Sequence, residues 1–186
     1  MIKLYGGTFS RASIIKWYLE EFQIPYEFVL IDLAVGEQLQ PDYLAIHPFA
    51  KVPAIGDGDF HLWETGAILT YLSGKYDPAI ATIEQLAIIN QWIIFANTTL
   101  SDGLFNPKMQ AKETPHLLGK LDTIVKGKPY LLSNQISAAD VMLASFLSYA
   151  FLMVPNFDIS AYPNLSNYLQ QMRDRPAFKS SMAIPG

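Results

Sequence analysis

The chain has 186 residues, 51% of them hydrophobic, and a formal net charge of −4, so it can bury a sizeable core but lacks the basic surface of a general nucleic-acid binder. It contains no cysteine, which excludes structural disulfides, thiolate metal ligands and a protein-borne thiol nucleophile. No apolar run reaches the roughly 18 residues that span a bilayer, and Met1-Ile2-Lys3-Leu4 leads into a strand pattern rather than a signal peptide, so the expected setting is soluble and cytoplasmic.

Ile2 to Tyr5 alternates like a strand, and Gly6-Gly7 breaks it. Ser10 is a plausible N-cap for a helix carrying Ile14, Tyr18, Leu19 and Phe22 on one face. Tyr26 to Ile31 follows Pro25 as a second strand, joined to the first by a right-handed crossover. Leu33 to Tyr43 is polar, a loop with a short irregular helix. The segment 47–72 reads as a hairpin of two short strands and a helix, so about the first 76 residues form a small α/β domain. Lys75-Tyr76-Asp77-Pro78 marks the linker.

From Ile83 the period is helical. Ile83 to Phe105 is long and apolar, with Leu86, Ile89, Ile93 and Leu100 as buried candidates, and Pro107 stops it. Lys108 to Val125, Ser137 to Val154 and Leu165 to Asp174 follow as helices, with a short one after Pro176. Residues 83–186 are therefore expected to form an all-α domain. Within it, Ser137 and Asp140 stand at the positions of a capping box, flanked by Ile136 and Val141 at those of a hydrophobic staple; this is a folding element.

The stretch from His47 to Leu72 carries the functional signal. It contains Val52-Pro53 before a short strand, a Gly56-Asp57-Gly58 turn, a second strand, and Glu64-Thr65 opening an apolar helix. Proline at a strand start removes one ladder donor, leaving that edge to face a ligand. Side-chain oxygens beside the free N–H groups and positive dipole end of a helix suit a small carboxylate. Together they describe a slot for an extended, anionic, peptide-like ligand. Taken alone, Glu64 and Thr65 could be an ordinary helix start and Lys51 a solvated lysine. His47 reads as a residue that orders the loop, and His61 and His116 as surface or turn residues. The three histidines lack the close spacing of a metal site.

A thioredoxin-like α/β domain with a Val-Pro step and an acid-Thr pair, followed by an all-α helical bundle with that capping box, resembles the glutathione transferase superfamily along essentially the whole chain. LYGGTFSRASIIKWYLEE and HPFAKVPAI are most similar to the bacterial, cyanobacterial chi class. The resemblance implies a cis bond at Pro53, with the Val52 N–H and C=O meeting the cysteinyl backbone of glutathione. It implies that Glu64 and Thr65 hold the γ-glutamyl end, and that Lys51 meets the glycyl carboxylate. Glutathione is then a co-substrate, and no cofactor is permanently bound. The missing cysteine argues against thiol-transferase relatives, which use one.

Such an enzyme keeps the bound thiol ionised at neutral pH, with help from the loop after the first strand. Tyr5, Thr8, Ser10 and Arg11 lie there; Ser10 is the first candidate, Arg11 the second, and an N-cap role for Ser10 stands beside its catalytic one. The electrophile is expected in an apolar pocket between the domains, with Phe9, Phe95, Asn97, Thr98, Asp102 and Phe105 as candidates and ordinary core as the alternative for each. The chi-class resemblance suggests isothiocyanates and halogenated aromatics as acceptors, with weak peroxide reduction, and superfamily members usually form two-fold dimers. The competing reading is a non-catalytic ligand carrier or protein-interaction module on the same fold.

Overall fold

The computed structural model describes residues 1–182, so positions 183–186 of the expected second domain lie outside the described residues. The chain divides into two compact units, one comprising Met1–Ala79 with the chain from Ala177 onward, the other Ile80–Pro176.

The first unit is a four-stranded mixed sheet with helices. Its strands are β1 (Ile2–Gly6), β2 (Tyr26–Leu30), β3 (Ala54–Asp57) and β4 (Phe60–Trp63), in the order β2-β1-β3-β4. β1 and β2 run parallel, and β3 is antiparallel to both β1 and β4. Between β1 and β2 lies α1 (Ala12–Glu21); α3 (Thr65–Tyr76) follows β4. Along β1 the period of two is plain: Ile2 and Leu4 are buried, Lys3 is exposed and Tyr5 half-buried. Leu4 pairs with Ile55 and Ile55 with Leu62. α1 buries Ile14, Ile15, Trp17, Tyr18 and Leu19, α3 buries Ile68, Leu69 and Leu72, and the two helices pack on each other. Fully burying one such aliphatic side chain contributes about 1.5–3 kcal/mol. A Cβ at Gly6 would lie 2.4 Å from the Cβ of Ala12, so glycine permits the tight passage from β1 into α1.

Several boundaries differ from the sequence reading. α1 has Arg11, not Ser10, at its N-cap position, and Arg11 makes no side-chain cap bond. The Ser10 oxygen serves both sides, accepting from Gly7 N–H in the preceding loop and from Ala12 N–H at the helix start. Leu33 to Tyr43 holds a 3-10 turn at Glu37–Leu39 and the short α2 (Pro41–Leu44). α3 continues through Lys75 and Tyr76, because Tyr71 and Lys75 both donate to Asp57 of β3 and hold the last turn to the sheet. α9 (Pro176–Met182) belongs largely with this unit, where the Phe178 ring meets Trp17 edge-on at 4.9 Å.

The second unit is helical: α4 (Ile83–Phe95), a π-helical turn (Ala96–Leu100), α5 (Ser101–Phe105), α6 (Pro107–Val125), α7 (Ala138–Met153) and α8 (Pro163–Arg173). The expected single helix 83–105 is thus interrupted by one wide turn. Within it the Thr98 hydroxyl donates to the Ile94 carbonyl at 2.8 Å, a bond that Thr70 and Thr123 also make to the carbonyl four residues back inside the regular helices α3 and α6. α7 is the buried centre: all of Ala138 to Ser148 lies in the core. At its start Asp140 gathers four donors. Its Oδ2 accepts from the N–H and hydroxyl of Ser137 at 3.0 and 2.8 Å, and its Oδ1 from Leu131 N–H and Tyr168 OH at 2.8 Å each. Burial pushes this carboxyl up, while the four bonds pull it down. No described helix is long and apolar enough to cross a membrane.

Candidate functional site

The register of the sheet brings the separated motifs to one end of the first unit. Ala54 pairs with Tyr5 on one side and Trp63 on the other. One step beyond that row, Val52-Pro53 enters β3, Glu64-Thr65 leaves β4 into α3, and the loop Gly7–Arg11 leaves β1. The Val52–Pro53 peptide bond is cis. Glu64 sits at the N-cap of α3 with φ 71 and ψ 121, a region costly for a residue with a Cβ and typical of functional sites. Its carbonyl accepts from Ile68 N–H at 2.9 Å. Thr65 is the first helical residue and is buried; Glu64 is exposed.

The loop before β3 is fastened from beneath. Ala50 N–H donates to the His47 carbonyl at 2.9 Å, closing a tight turn that ends with Ala50 at φ 53. Phe49 N–H donates to His47 Nδ1 at 3.3 Å, and Tyr43 OH donates to the Lys51 carbonyl at 2.5 Å. The His47 ring stacks on Trp63 at 5.1 Å and lies 6.4 Å from Tyr43, while Phe49 meets Trp63 edge-on at 5.4 Å. Burial lowers the His47 imidazole below its usual range, Glu64 opposes this, and Lys51 adds to it. Burial also pushes Tyr43 up to about 12, so both hydrogen-bonding groups are neutral near pH 7. The Lys51 side chain is exposed. Sequence reasoning assigned His47 to ordering the loop but missed Tyr43 and Trp63. The spacing of Tyr43 four residues before His47, and of Trp63 immediately before Glu64, was the available signal.

In the loop after β1, the Ser10 hydroxyl is fully engaged. It accepts from Gly7 N–H at 3.2 Å and Ala12 N–H at 3.3 Å, and donates to the Gly7 carbonyl at 2.9 Å. Arg11 and Thr8 are exposed, and Phe9 is 73% exposed with φ 54. The expected electrophile-pocket residues of the helical unit have different surroundings. Phe95, with Trp92, lines an apolar groove of about 370 Å³ between α4 and α6. Phe105 turns toward Phe146 of α7, with ring centroids 6.3 Å apart. Asn97 is half-buried, Thr98 is exposed with its hydroxyl donated to Ile94, and Asp102 is exposed. No group of three or more His, Asp or Glu side chains able to hold a metal occurs among the described residues.

Comparison with protein families matches residues 1–74 to the glutathione S-transferase N-terminal domain and residues 90–183 to the glutathione S-transferase C-terminal domain. The chain belongs to the glutathione S-transferase family. Among curated relatives, glutathione S-transferase F10 of Arabidopsis thaliana is 37% identical over 173 residues, covering 80% of each chain. Glutathione S-transferase GstB of Escherichia coli strain K12 is 28% identical over 208 residues, covering 100% of this chain and 99% of that one. The theta class glutathione S-transferase of Xanthomonas axonopodis pv. citri, solved with glutathione bound, superposes with a TM-score of 0.79 at 25% identity, over 99% of this chain and 98% of that one.

Proposed function

We propose that this glutathione transferase joins the thiol of glutathione to small hydrophobic electrophiles, with isothiocyanates and halogenated aromatics as the acceptor classes, and that its glutathione site is built from Lys51, Val52, Pro53, Glu64 and Thr65. The observation that carries the reading is the β3–β4 register, which sets Val52-Pro53 beside Glu64-Thr65 at the start of α3. Glu64 supplies a carboxylate for the γ-glutamyl ammonium, and Thr65 a hydroxyl and a helix-start N–H for its carboxylate. Lys51 supplies a point charge for the glycyl end.

The chemistry asks for a thiolate. A free thiol titrates near 8.5, so only about 3% is ionised at pH 7. Each unit of lowering requires about 1.4 kcal/mol of preferential stabilisation of the anion. The positive end of α1 and a hydrogen bond from Ser10 supply it, with the Arg11 guanidinium as the second source. On an isothiocyanate, the sulfur forms a bond to the central carbon and nitrogen takes the proton. On a halogenated aromatic, the sulfur–carbon bond forms and halide leaves.

Retention on immobilised glutathione together with conjugation of benzyl isothiocyanate or 1-chloro-2,4-dinitrobenzene tests the reading. Retention without turnover favours a ligand carrier; neither retention nor turnover favours an interaction module. Sedimentation of the pure protein tests the expected homodimer.

A further inference from the structure

His47 is 2% exposed, whereas its loop neighbours Pro48, Phe49 and Lys51 are exposed, Phe49 to 66%. The imidazole is therefore packed inward while the side chains on either side of it along the turn meet solvent. Its Nδ1 accepts the Phe49 N–H, which requires a lone pair on that nitrogen and assigns the ring proton to Nε2. Its face lies on Trp63, the residue immediately before Glu64. One ring thus ties the segment carrying Lys51 and Val52 to the strand end carrying Glu64 and Thr65.

We propose that His47, as the neutral imidazole, is a positioning residue for glutathione, holding the Lys51–Val52 segment and the Glu64–Thr65 helix start at one fixed separation. The inference rests on the glutathione reading above. Protonation removes the only lone pair that can accept the Phe49 N–H and turns a second N–H against it, so a bond becomes a donor–donor contact in a buried place. The loop then loses its inner fastening on that side, although the Tyr43 bond to Lys51 remains.

The groups acting on the ring define the expected pH response. Lys51, on its own loop, disfavours the imidazolium. Glu64, at the junction of β4 and α3, favours it. Tyr43, on α2, stays neutral. Trp63, from β4, carries no charge. Burial outweighs Glu64 and the hydrogen bond to the residue's own backbone, which both favour the imidazolium, so the ring titrates below its unperturbed value near 6.5. The folded protein then binds fewer protons than the unfolded chain between those two values. Stability falls as the pH drops below about 6.5, and glutathione binding falls as it drops through the lower value of the folded protein.

The probe is S-methylglutathione, whose blocked sulfur removes thiol ionisation from the pH dependence. Its affinity is measured by calorimetry between pH 7.5 and 5.0, with thermal unfolding followed alongside. In the wild type, affinity is expected to fall progressively toward the acid end of this range. His47→Asn keeps an acceptor oxygen for the N–H two residues on but does not titrate. Without the ring it gives up the contact with Trp63, so it should bind about threefold more weakly than wild type at pH 7.5, with a flat profile. His47→Phe keeps a ring for Trp63 but no acceptor, and should bind at least fivefold more weakly at both pH values. A flat wild-type profile, a slope that survives His47→Asn, or full affinity in His47→Phe overturns the role given to His47. No binding of S-methylglutathione by the wild type at either pH overturns the glutathione reading, and this inference with it.

Discussion

Asp140→Ala is the substitution with the largest expected effect away from the candidate site. It removes the acceptor of four hydrogen bonds and leaves their donors where water cannot reach. Leu131, Ser137 and Tyr168 are 3%, 6% and 3% exposed. The Ser137 hydroxyl can turn elsewhere. The two main-chain N–H groups of Leu131 and Ser137 cannot, and Tyr168 OH is fixed by its ring. Each buried orphan costs about 1–3 kcal/mol, so three of them put the loss at no less than about 3 kcal/mol. A domain's whole stability is about 5–15 kcal/mol, and a loss of this size lowers Tm by about 6–12 °C in a chain of this length. Asp140→Asn should cost less, since its oxygen still serves two donors and the Ser137 hydroxyl can rotate to accept from its amide. The assay is urea unfolding of the full chain. Circular dichroism follows all helices, and the fluorescence of Trp92, the one tryptophan of the helical unit, follows that unit. A loss below about 1.5 kcal/mol for Asp140→Ala, or equal losses for Ala and Asn, would refute the hydrogen-bond account.

Thr65→Ala should weaken glutathione binding by tenfold or more, since a charge-assisted bond to the γ-glutamyl carboxylate is worth about 1.5–3 kcal/mol; unchanged affinity by calorimetry removes Thr65 from the site. Tyr43→Phe deletes only the bond to the Lys51 carbonyl. It should lower Tm by about 2–4 °C, equivalent to about 1 kcal/mol. It should also raise KM for glutathione with kcat little changed, and a change confined to kcat would speak against a loop-fastening role. Ser10→Ala should raise the pH at which bound thiolate appears in ultraviolet absorbance. If that titration stays put while Arg11→Ala moves it, the arginine is the activator.

The fold was legible where local patterns agree with their surroundings. Ile2 and Leu4 against Lys3 announce a half-buried strand, and Ser137 with Asp140 announces a helix start whatever packs around it. The π-helical turn at Ala96–Leu100 was not legible, because Ile83 to Phe105 keeps an unbroken apolar period. The continuation of α3 through Tyr76 was hidden for a similar reason: Lys75-Tyr76-Asp77-Pro78 reads as a breaker unless Asp57, eighteen residues before Lys75, is known to anchor it. The two motifs of the proposed binding slot were readable because Val52-Pro53 and Glu64-Thr65 each have a local chemistry. Their adjacency is a property of strand register, and so are the contributions of Trp63 and Tyr43, whose rings act through neighbours distant along the chain.

The two halves of the proposed reaction stand on different physical footing. The proposed binding relies on motifs that the strand register already brings to one end of the sheet. Activation relies on a hydroxyl that the protein already uses, since Ser10 donates to the Gly7 carbonyl. To serve a thiolate it must exchange that acceptor for sulfur. The gain is the difference between a charge-assisted bond of about 1.5–3 kcal/mol and a neutral one of about 0.5–1.5 kcal/mol, close to 1 kcal/mol. That corresponds to somewhat less than one pKa unit. Bringing a thiol from 8.5 to neutral pH takes more, so the positive end of α1 and Arg11 must contribute at least as much as the hydroxyl. The thiolate titration of Ser10→Ala should therefore rise by less than about one unit. A rise of two units or more would mean that the hydroxyl is free of Gly7 in the complex and acts as the principal activator.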